Sequence, residues 1–377
     1  MKIYLKYWFV VFMFIVSACA PASAPVATLT VTPNVKVVSD TPMPAEVITP
    51  RPVVTLTNEQ ALYPYTIEGL REHKFQSGEI FIRKVLLETK IFTRYLIEYP
   101  SDGLIITGIL QVPTIGEPPY PVIIMNHGFF ARADYTSGDG TDRAAEFLNR
   151  HGYLTVSSDY RSWGDSEIGE SLHYSGLAID VVNLMNALPS FPQADLNRMG
   201  MWGHSMGGGV TLKVLAIDTS TDSAQSPRIK AAVLYSSVSA DFADIVGRWG
   251  PGRLGDIYES EQAYGYNSSD ILPLNLPDDL IASYLNSVTD SDMLEAVSPL
   301  YHLDLVTAPV QIVYGTEDGQ VPEGTPPEWS KKMYEGFVKA GKEAQLFAHP
   351  GEAHSFQYDE WYAFMERAVQ FFDAHVK

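Results

Sequence analysis

What this sequence lacks narrows what it can do. It carries one cysteine, Cys19, in 377 residues, so no internal disulfide and no thiolate cage for a metal can form within the chain. Its nine histidines are scattered and include no H-E-x-x-H pair, so no metal site is expected. No Gly-x-Gly-x-x-Gly follows an expected strand and no phosphate-binding loop is present, so no cofactor is expected either. Cations are the minority, 26 Lys and Arg against 45 Asp and Glu, for a formal net charge of −19. A nucleic-acid partner needs clustered basic surface, and none is visible. The acidic excess reads as a solubility feature. Long apolar runs are also scarce: Tyr7 to Val16 is about ten residues, too short to span a bilayer as a helix.

That run has a different meaning. Lys2 and Lys6 precede or flank it and Val16-Ser17-Ala18-Cys19 follows it, the arrangement of a cleaved targeting segment. The four residues resemble the lipobox of bacterial lipoproteins, in which the cysteine thiol receives a diacylglycerol. Residues 1–18 are therefore expected as a lipoprotein signal peptide and Cys19 as the lipidation site, giving an exported, membrane-anchored protein facing outside the cytoplasm. An ordinary secretory signal and an uncleaved anchor are the alternatives. Residues 19–57 form the lipidated cysteine and a tether, with prolines at 21, 25, 33, 42, 44, 50 and 52 and no helical or strand period.

Residues 58–377 alternate between β-branched apolar runs and segments of helical spacing. That alternation predicts an α/β fold with a mostly parallel central sheet flanked by helices. Phe92–Tyr99 and Leu104–Val112 read as a hairpin turned by Asp102-Gly103. Pro121–Asn126 reads as a strand buried on both faces. Further strands are expected at 153–158, 198–203, 231–235, 310–314 and 344–347, with helices near 141–150, 175–188, from 206, 328–340 and from 359. The alternation stops over 241–296, after the sixth expected core strand. This small insertion carries Trp249, Tyr258, Tyr264, Tyr266 and Tyr284, and reads either as a cap over a pocket or as a surface excursion. The aromatic pairs near the C-terminus recur at helical spacing and read as core.

Gly203-His204-Ser205-Met206-Gly207 matches the Gly-x-Ser-x-Gly elbow, between an expected strand and an expected helix. The glycines keep side chains out of a sharp turn, the serine hydroxyl is exposed, and the helix N-terminus faces the oxygen that turns negative during acyl transfer. A serine is a weak nucleophile, so a base and an acid are required downstream. Asp318, just past the strand 310–314, is the expected acid, with Glu317 its local competitor and Asp304 too far upstream. His354, after the last strand, is the expected base; His349 reads as a hydrogen-bonded packing residue. Asn126-His127-Gly128-Phe129 places a second backbone donor, so the N–H groups of Phe129 and Met206 form the expected oxyanion hole. His127 reads as a loop-fixing residue, His204 as shaping the surroundings of Ser205, and Asp159 to Ser166 as support for the pocket floor.

From roughly Phe92 onward the chain resembles α/β-hydrolases of the kind found in the catalytic domain of the prolyl oligopeptidases, the S9 peptidases, and in the dienelactone-hydrolase and acetyl-esterase groups, which implies the α/β-hydrolase fold. The residues that carry this are Asn126 to Phe129, Asp159 to Ser166, Gly203 to Gly208, Ser298-Pro299 with Ala308-Pro309, Tyr314 to Pro322 and Gly351 to His354. The resemblance implies a serine hydrolase acting on a small ester or a short peptide. Only about seventy residues separate the tether from the first core strand, too few for the propeller that gates a prolyl oligopeptidase. Ester hydrolysis is therefore preferred, with short-peptide cleavage as the alternative. A non-catalytic, surface-anchored binding protein of the same fold is the reading from another class.

Overall fold

Strands that are apolar throughout need cover on both faces, and the computed structural model of the chain shows what supplies it. The structure describes residues 57–218, 228–251, 253–254, 271–272 and 276–377. The expected signal peptide, Cys19 and the tether up to residue 56 lie outside the described residues, as do Tyr258, Tyr264 and Tyr266.

Two short helices, α1 (Asn58–Leu62) and α2 (Ile67–Arg71), open the described chain. Four strands follow: β1 (Phe81–Glu88), β2 (Phe92–Ser101), β3 (Leu104–Pro113) and β4 (Tyr120–Asn126). Then come α3 (Asp142–Arg150), β5 (Leu154–Ser158), α4 (Ser175–Ala187), β6 (Ala194–His204), α5 (Met206–Ile217) and β7 (Ile229–Tyr235). Beyond it lie α6 (Phe242–Trp249), a small separate pair β8 (Arg253–Leu254) and β9 (Ile271–Leu272), α7 (Asp278–Ser287) and α8 (Ser291–Val297). The chain closes with β10 (Val310–Gly315), α9 (Pro327–Lys339), β11 (Ala344–His349) and α10 (Tyr358–His375).

Among the described residues the main sheet has nine strands in the order β1-β2-β3-β5-β4-β6-β7-β10-β11. β1, β2, β3 and β5 pair antiparallel, and every pairing from β5 onward is parallel. Side chains alternate across a strand, so one apolar run feeds two cores. Val122 and Ile124 of β4 enter one core with α4, α5 and α9, whereas Ile123 and Met125 enter the other with α3 and α10. β7 divides likewise, Ala232 and Leu234 to one side and Ala231, Val233 and Tyr235 to the other. Every residue of α5 is buried, as befits a helix covered on all sides.

Expectation and structure differ in three places. β1 was not foreseen: Arg83 and Lys84 break its alternation, all eight residues are exposed and the pairing with β2 slips twice. The insertion therefore follows the seventh strand rather than the sixth, and its described parts include α6, α7 and α8. At the C-terminus Phe371 and Phe372 are core, but Tyr358 and Tyr362 are 81% and 53% exposed, because they fall on the outward stripe of α10.

Buried ionic contacts fix the loop after β5. Arg161 Nη2 lies 2.9 Å from Asp180 Oδ1 and Arg161 Nε 3.1 Å from Asp180 Oδ2. Asp180 also accepts from Ser101 Oγ at 2.6 Å and from the Arg161 N–H at 2.7 Å. The hairpin, α4 and this loop are thus locked by one satisfied carboxylate.

Candidate active site

β6 runs between β4 and β7 and ends at the elbow. Ser205 has φ +57° and ψ −122°, a strained backbone for a residue with a side chain. The surroundings impose it. The Ser205 N–H donates to the Tyr235 carbonyl at 3.0 Å, and the Ser205 carbonyl accepts from Gly208 at 3.0 Å and Val238 at 3.1 Å. A Cβ on Gly203 would fall 2.2 Å from the Gly207 carbonyl oxygen, and one on Gly207 would fall 2.0 Å from that of Asn126. Only glycine permits this packing of α5 against β4. α5 begins at Met206, so its first N–H groups have no intrahelical acceptor and point toward Ser205.

Asp318 and His354 arrive from the ends of β10 and β11. His354 Nδ1 is 3.1 and 3.0 Å from the two Asp318 carboxylate oxygens. A carboxylate only accepts, so Nδ1 carries the proton and Nε2 is left basic. Asp318 also accepts from the Gly319 N–H at 2.7 Å, the Thr325 N–H at 2.8 Å and the Thr325 hydroxyl at 2.7 Å. Burial pushes its pKa up, but the hydrogen bond and charge of His354, and then the Thr325 bonds, outweigh that and hold it below the ordinary carboxylate value. Glu317 is exposed beside it, and its N–H donates to the Glu352 carbonyl at 2.9 Å, tying the Asp318 loop to the His354 loop. Asp304 is exposed in the turn before β10. His349 sits 2.8 Å from Glu360 Oε2 and 3.0 Å from Arg367 Nη1, held in packing.

Ser205 and His354 open into one cavity of about 280 Å³, lined also by Phe129, Phe130, Met206, Tyr174, Val238 and Trp249 among others. A Cβ on Gly128 would lie 3.1 Å from Ser205 Cβ, so the loop after β4 passes directly over the serine and brings the Phe129 backbone beside it. His127 anchors that loop. Its ring lies between Tyr135 and Tyr160, at 4.6 and 4.3 Å, and Nδ1 is 2.7 Å from the Gly128 carbonyl. Burial lowers its pKa to about 4, so it is neutral at pH 7. Trp163 Nε1 donates to the Phe130 carbonyl at 3.0 Å, which is how the segment Asp159 to Ser166 supports the pocket.

Three residues here escaped sequence reasoning, Tyr174, Val238 and Thr325, whereas Trp249 comes from the insertion read as a cap over a pocket or as a surface excursion, and it lines the cavity. Tyr174 has φ +61° after His173 at +52°, an adjacent left-handed pair that turns its ring into the cavity wall, and nothing in the sequence announces it. Thr325 stands seven residues past Asp318 in a proline-flanked turn, and a hydroxyl so close to the acid was the one available hint.

Fold and site together define an α/β-hydrolase fold with a serine, a histidine and an aspartate gathered at the end of its sheet. Residues 110–333, more than half of the chain, match the family model described as BD-FAE, and the chain belongs to that family. The match contains Ser205 and Asp318 and stops short of His354.

Lysophosphatidylserine lipase ABHD12 of Xenopus tropicalis is 34% identical over 96 residues, 26% of this chain and 23% of that protein. Esterase FrsA of Yersinia enterocolitica is 28% identical over 114 residues, 30% of this chain and 26% of that protein. The chain thus spans about a quarter of the length of these curated relatives. Among solved structures, the acetyl xylan esterase from Paenibacillus sp. R4 superposes with a TM-score of 0.56 at 16% identity, over 86% of this chain and 97% of that one. The acylaminoacyl peptidase of Pyrococcus horikoshii gives 0.53 at 20% identity, over 77% and 43%. These last two are likenesses of fold.

Proposed function

We propose that this chain hydrolyses carboxylic esters through an acyl-enzyme on Ser205. His354 Nε2 takes the Ser205 proton as Oγ attacks the ester carbonyl, while Asp318 holds the imidazole in the required tautomer and stabilises its charge. The N–H groups of Phe129 and Met206 receive the oxyanion. His354 then gives the proton to the departing alkoxide, activates a water, and the acyl group leaves as the acid. The observation that carries this reading is the meeting of a strained elbow serine and an Asp-paired histidine in a single small cavity.

The cavity favours esters over peptides. Phe129, Phe130, Ala131, Met206, Val238 and Trp249 give it a largely apolar lining. Extended peptide brings N–H and C=O groups that each need a partner once desolvated, and an ester brings fewer. The volume suits a short acyl group.

A fluorophosphonate probe on the purified domain, followed by mass mapping of the modified peptide, tests the reading. Modification at Ser205, with faster turnover of short-chain aryl esters than of aminoacyl arylamides, is the expected result. Arylamide preference would move the assignment to a peptidase, and no labelling of folded protein would move it to a binding protein.

We further propose that residues 1–18 are removed and Cys19 is lipidated, tethering the domain to a membrane outside the cytoplasm; the sequence Val16 to Cys19 directly after an apolar run supports this. Cys19→Ala is expected to abolish incorporation of labelled palmitate and release the protein from the membrane fraction. Unchanged palmitate labelling would overturn it.

A further inference from the structure

The second position of the elbow is open to any residue in the Gly-x-Ser-x-Gly pattern, and here it holds a histidine with specific contacts. His204 Nε2 lies 3.1 Å from the backbone carbonyl oxygen of His354, 150 residues away in sequence. A carbonyl only accepts, so Nε2 carries the hydrogen and donates it. The His204 ring stacks on Tyr235 at 4.5 Å with 26° between planes, and its centroid is 4.8 Å from that of the His354 ring. Tyr235 completes the arrangement, because its hydroxyl accepts the N–H of Phe356, two residues past the base.

The other end of the same loop is held from β10. A Cβ on Gly315 would fall 2.2 Å from the Glu352 carbonyl oxygen, and the Gly351 N–H donates to the Thr316 hydroxyl at 2.9 Å. Asp318 grips the imidazole of His354, but a side chain with two rotatable bonds stays aimed only if its backbone is fixed as well. Among the described residues, His204 is the side chain hydrogen-bonded to that peptide.

We infer that His204 is a positioning residue that couples nucleophile to base: it is joined covalently to Ser205 and bonded by its Nε2–H to the backbone on which His354 is mounted. The inference rests on the reading of Ser205 and His354 as nucleophile and base. Any shift of the base's loop relative to the elbow must break this bond, so one residue sets the Ser205 to His354 approach. The coupling also suits the chemistry. Burial of the ring, followed by the neighbouring charge of His354, pushes the His204 pKa down to about 3, so His204 stays a neutral donor while His354 carries the transferred proton.

The test compares His204→Phe, which keeps a ring for stacking and loses the donor, with His204→Gln, which keeps an N–H at similar reach. Three quantities are read: kcat and KM on the preferred ester, the downfield proton resonance of His354 Nδ1–H, and the melting curve as a control of folding. A misplacement near 1 Å costs about 100-fold. His204→Phe is therefore expected to lower kcat by roughly 10- to 100-fold, leave KM within about twofold and shift or broaden the resonance. His204→Gln is expected to recover kcat to within roughly threefold of the native enzyme, since the donor is retained. If the phenylalanine variant melts out of the folded state, His204→Met, which also lacks a donor, replaces it.

Native kcat with an unmoved resonance in the folded donor-less variant overturns the inference. Equal loss in the glutamine variant overturns it too, since the donor would then be irrelevant. Ser205→Ala run in parallel separates the failures. If that variant keeps turnover, the nucleophile assignment falls; if it is inactive while His204→Phe is unchanged, only the positioning role falls.

Discussion

Ser205→Ala is expected to lower kcat by about 10⁴-fold or more while leaving the melting temperature within a few degrees of native. The two halves of that result have separate causes. In the proposed mechanism the hydroxyl is the reacting atom, and a cavity that keeps His354 and the N–H groups of Phe129 and Met206 but has no nucleophile would retain only binding and electrostatic stabilisation. Folding, in contrast, does not depend on the hydroxyl. The turn is enforced by backbone bonds to Tyr235, Gly208 and Val238 and by the absence of side chains at Gly203 and Gly207. Alanine suffers the same positive φ as serine and adds no atom. Turnover and melting of the purified variant, measured together, check both. A variant with comparable esterase activity would remove Ser205 from the mechanism, and a collapse of the melting temperature would mean that the hydroxyl supports the elbow.

The elbow was legible in the sequence because its demands are steric and local. Two glycines around a serine, after an apolar run and before a helical one, have few other solutions, and the contacts that a Cβ would make at 203 and 207 show why. β4 was legible because a run without polar residues fits only a strand covered on both sides. The pairing of Asp318 with His354 was legible by chain order, each residue standing just past an apolar strand with glycine nearby.

What was missed lacked a local signature. β1 is exposed throughout, so no alternation of apolar and polar residues marks it, and its strand state comes from pairing with β2. Thr325 and Tyr174 act through where the chain brings them, which is decided by the β10 loop and by a left-handed turn before α4. His204 was read as part of the environment of Ser205, but its partner is a carbonyl 150 residues away, a contact that no spacing rule reaches. Tyr358 and Tyr362 misled because spacing alone does not say which stripe of a helix faces inward.

Asp318, the proposed acid, gives the second large effect. Asp318→Asn is expected to lower kcat by about 10⁴-fold with the fold retained. The carboxylate accepts from four donors: His354 Nδ1, the Gly319 N–H, and the N–H and hydroxyl of Thr325. An amide in its place has one accepting oxygen and presents an NH₂ group to partners that are themselves donors. His354 must then give up the Nδ1–H bond, which frees its orientation, or take the other tautomer with the proton on Nε2, which leaves no base for the proposed proton transfer from Ser205. Glu317→Gln, one residue away and exposed, is expected to keep kcat within roughly threefold, as surface changes usually do. The same carboxylate makes stability depend on pH with a definite sign. Its folded pKa lies below the ordinary value, so the ionised form stabilises the fold above about pH 4, the unfolded value, and that contribution is lost as the pH falls through the folded pKa. Native protein should therefore melt above Asp318→Asn at neutral pH, and the gap should narrow as the pH falls below about 4 and through the lowered folded pKa. A gap that stayed constant would show that Asp318 does not gain its stabilisation as a charge, and an active Asp318→Asn beside an inactive Glu317→Gln would transfer the acid's role to Glu317.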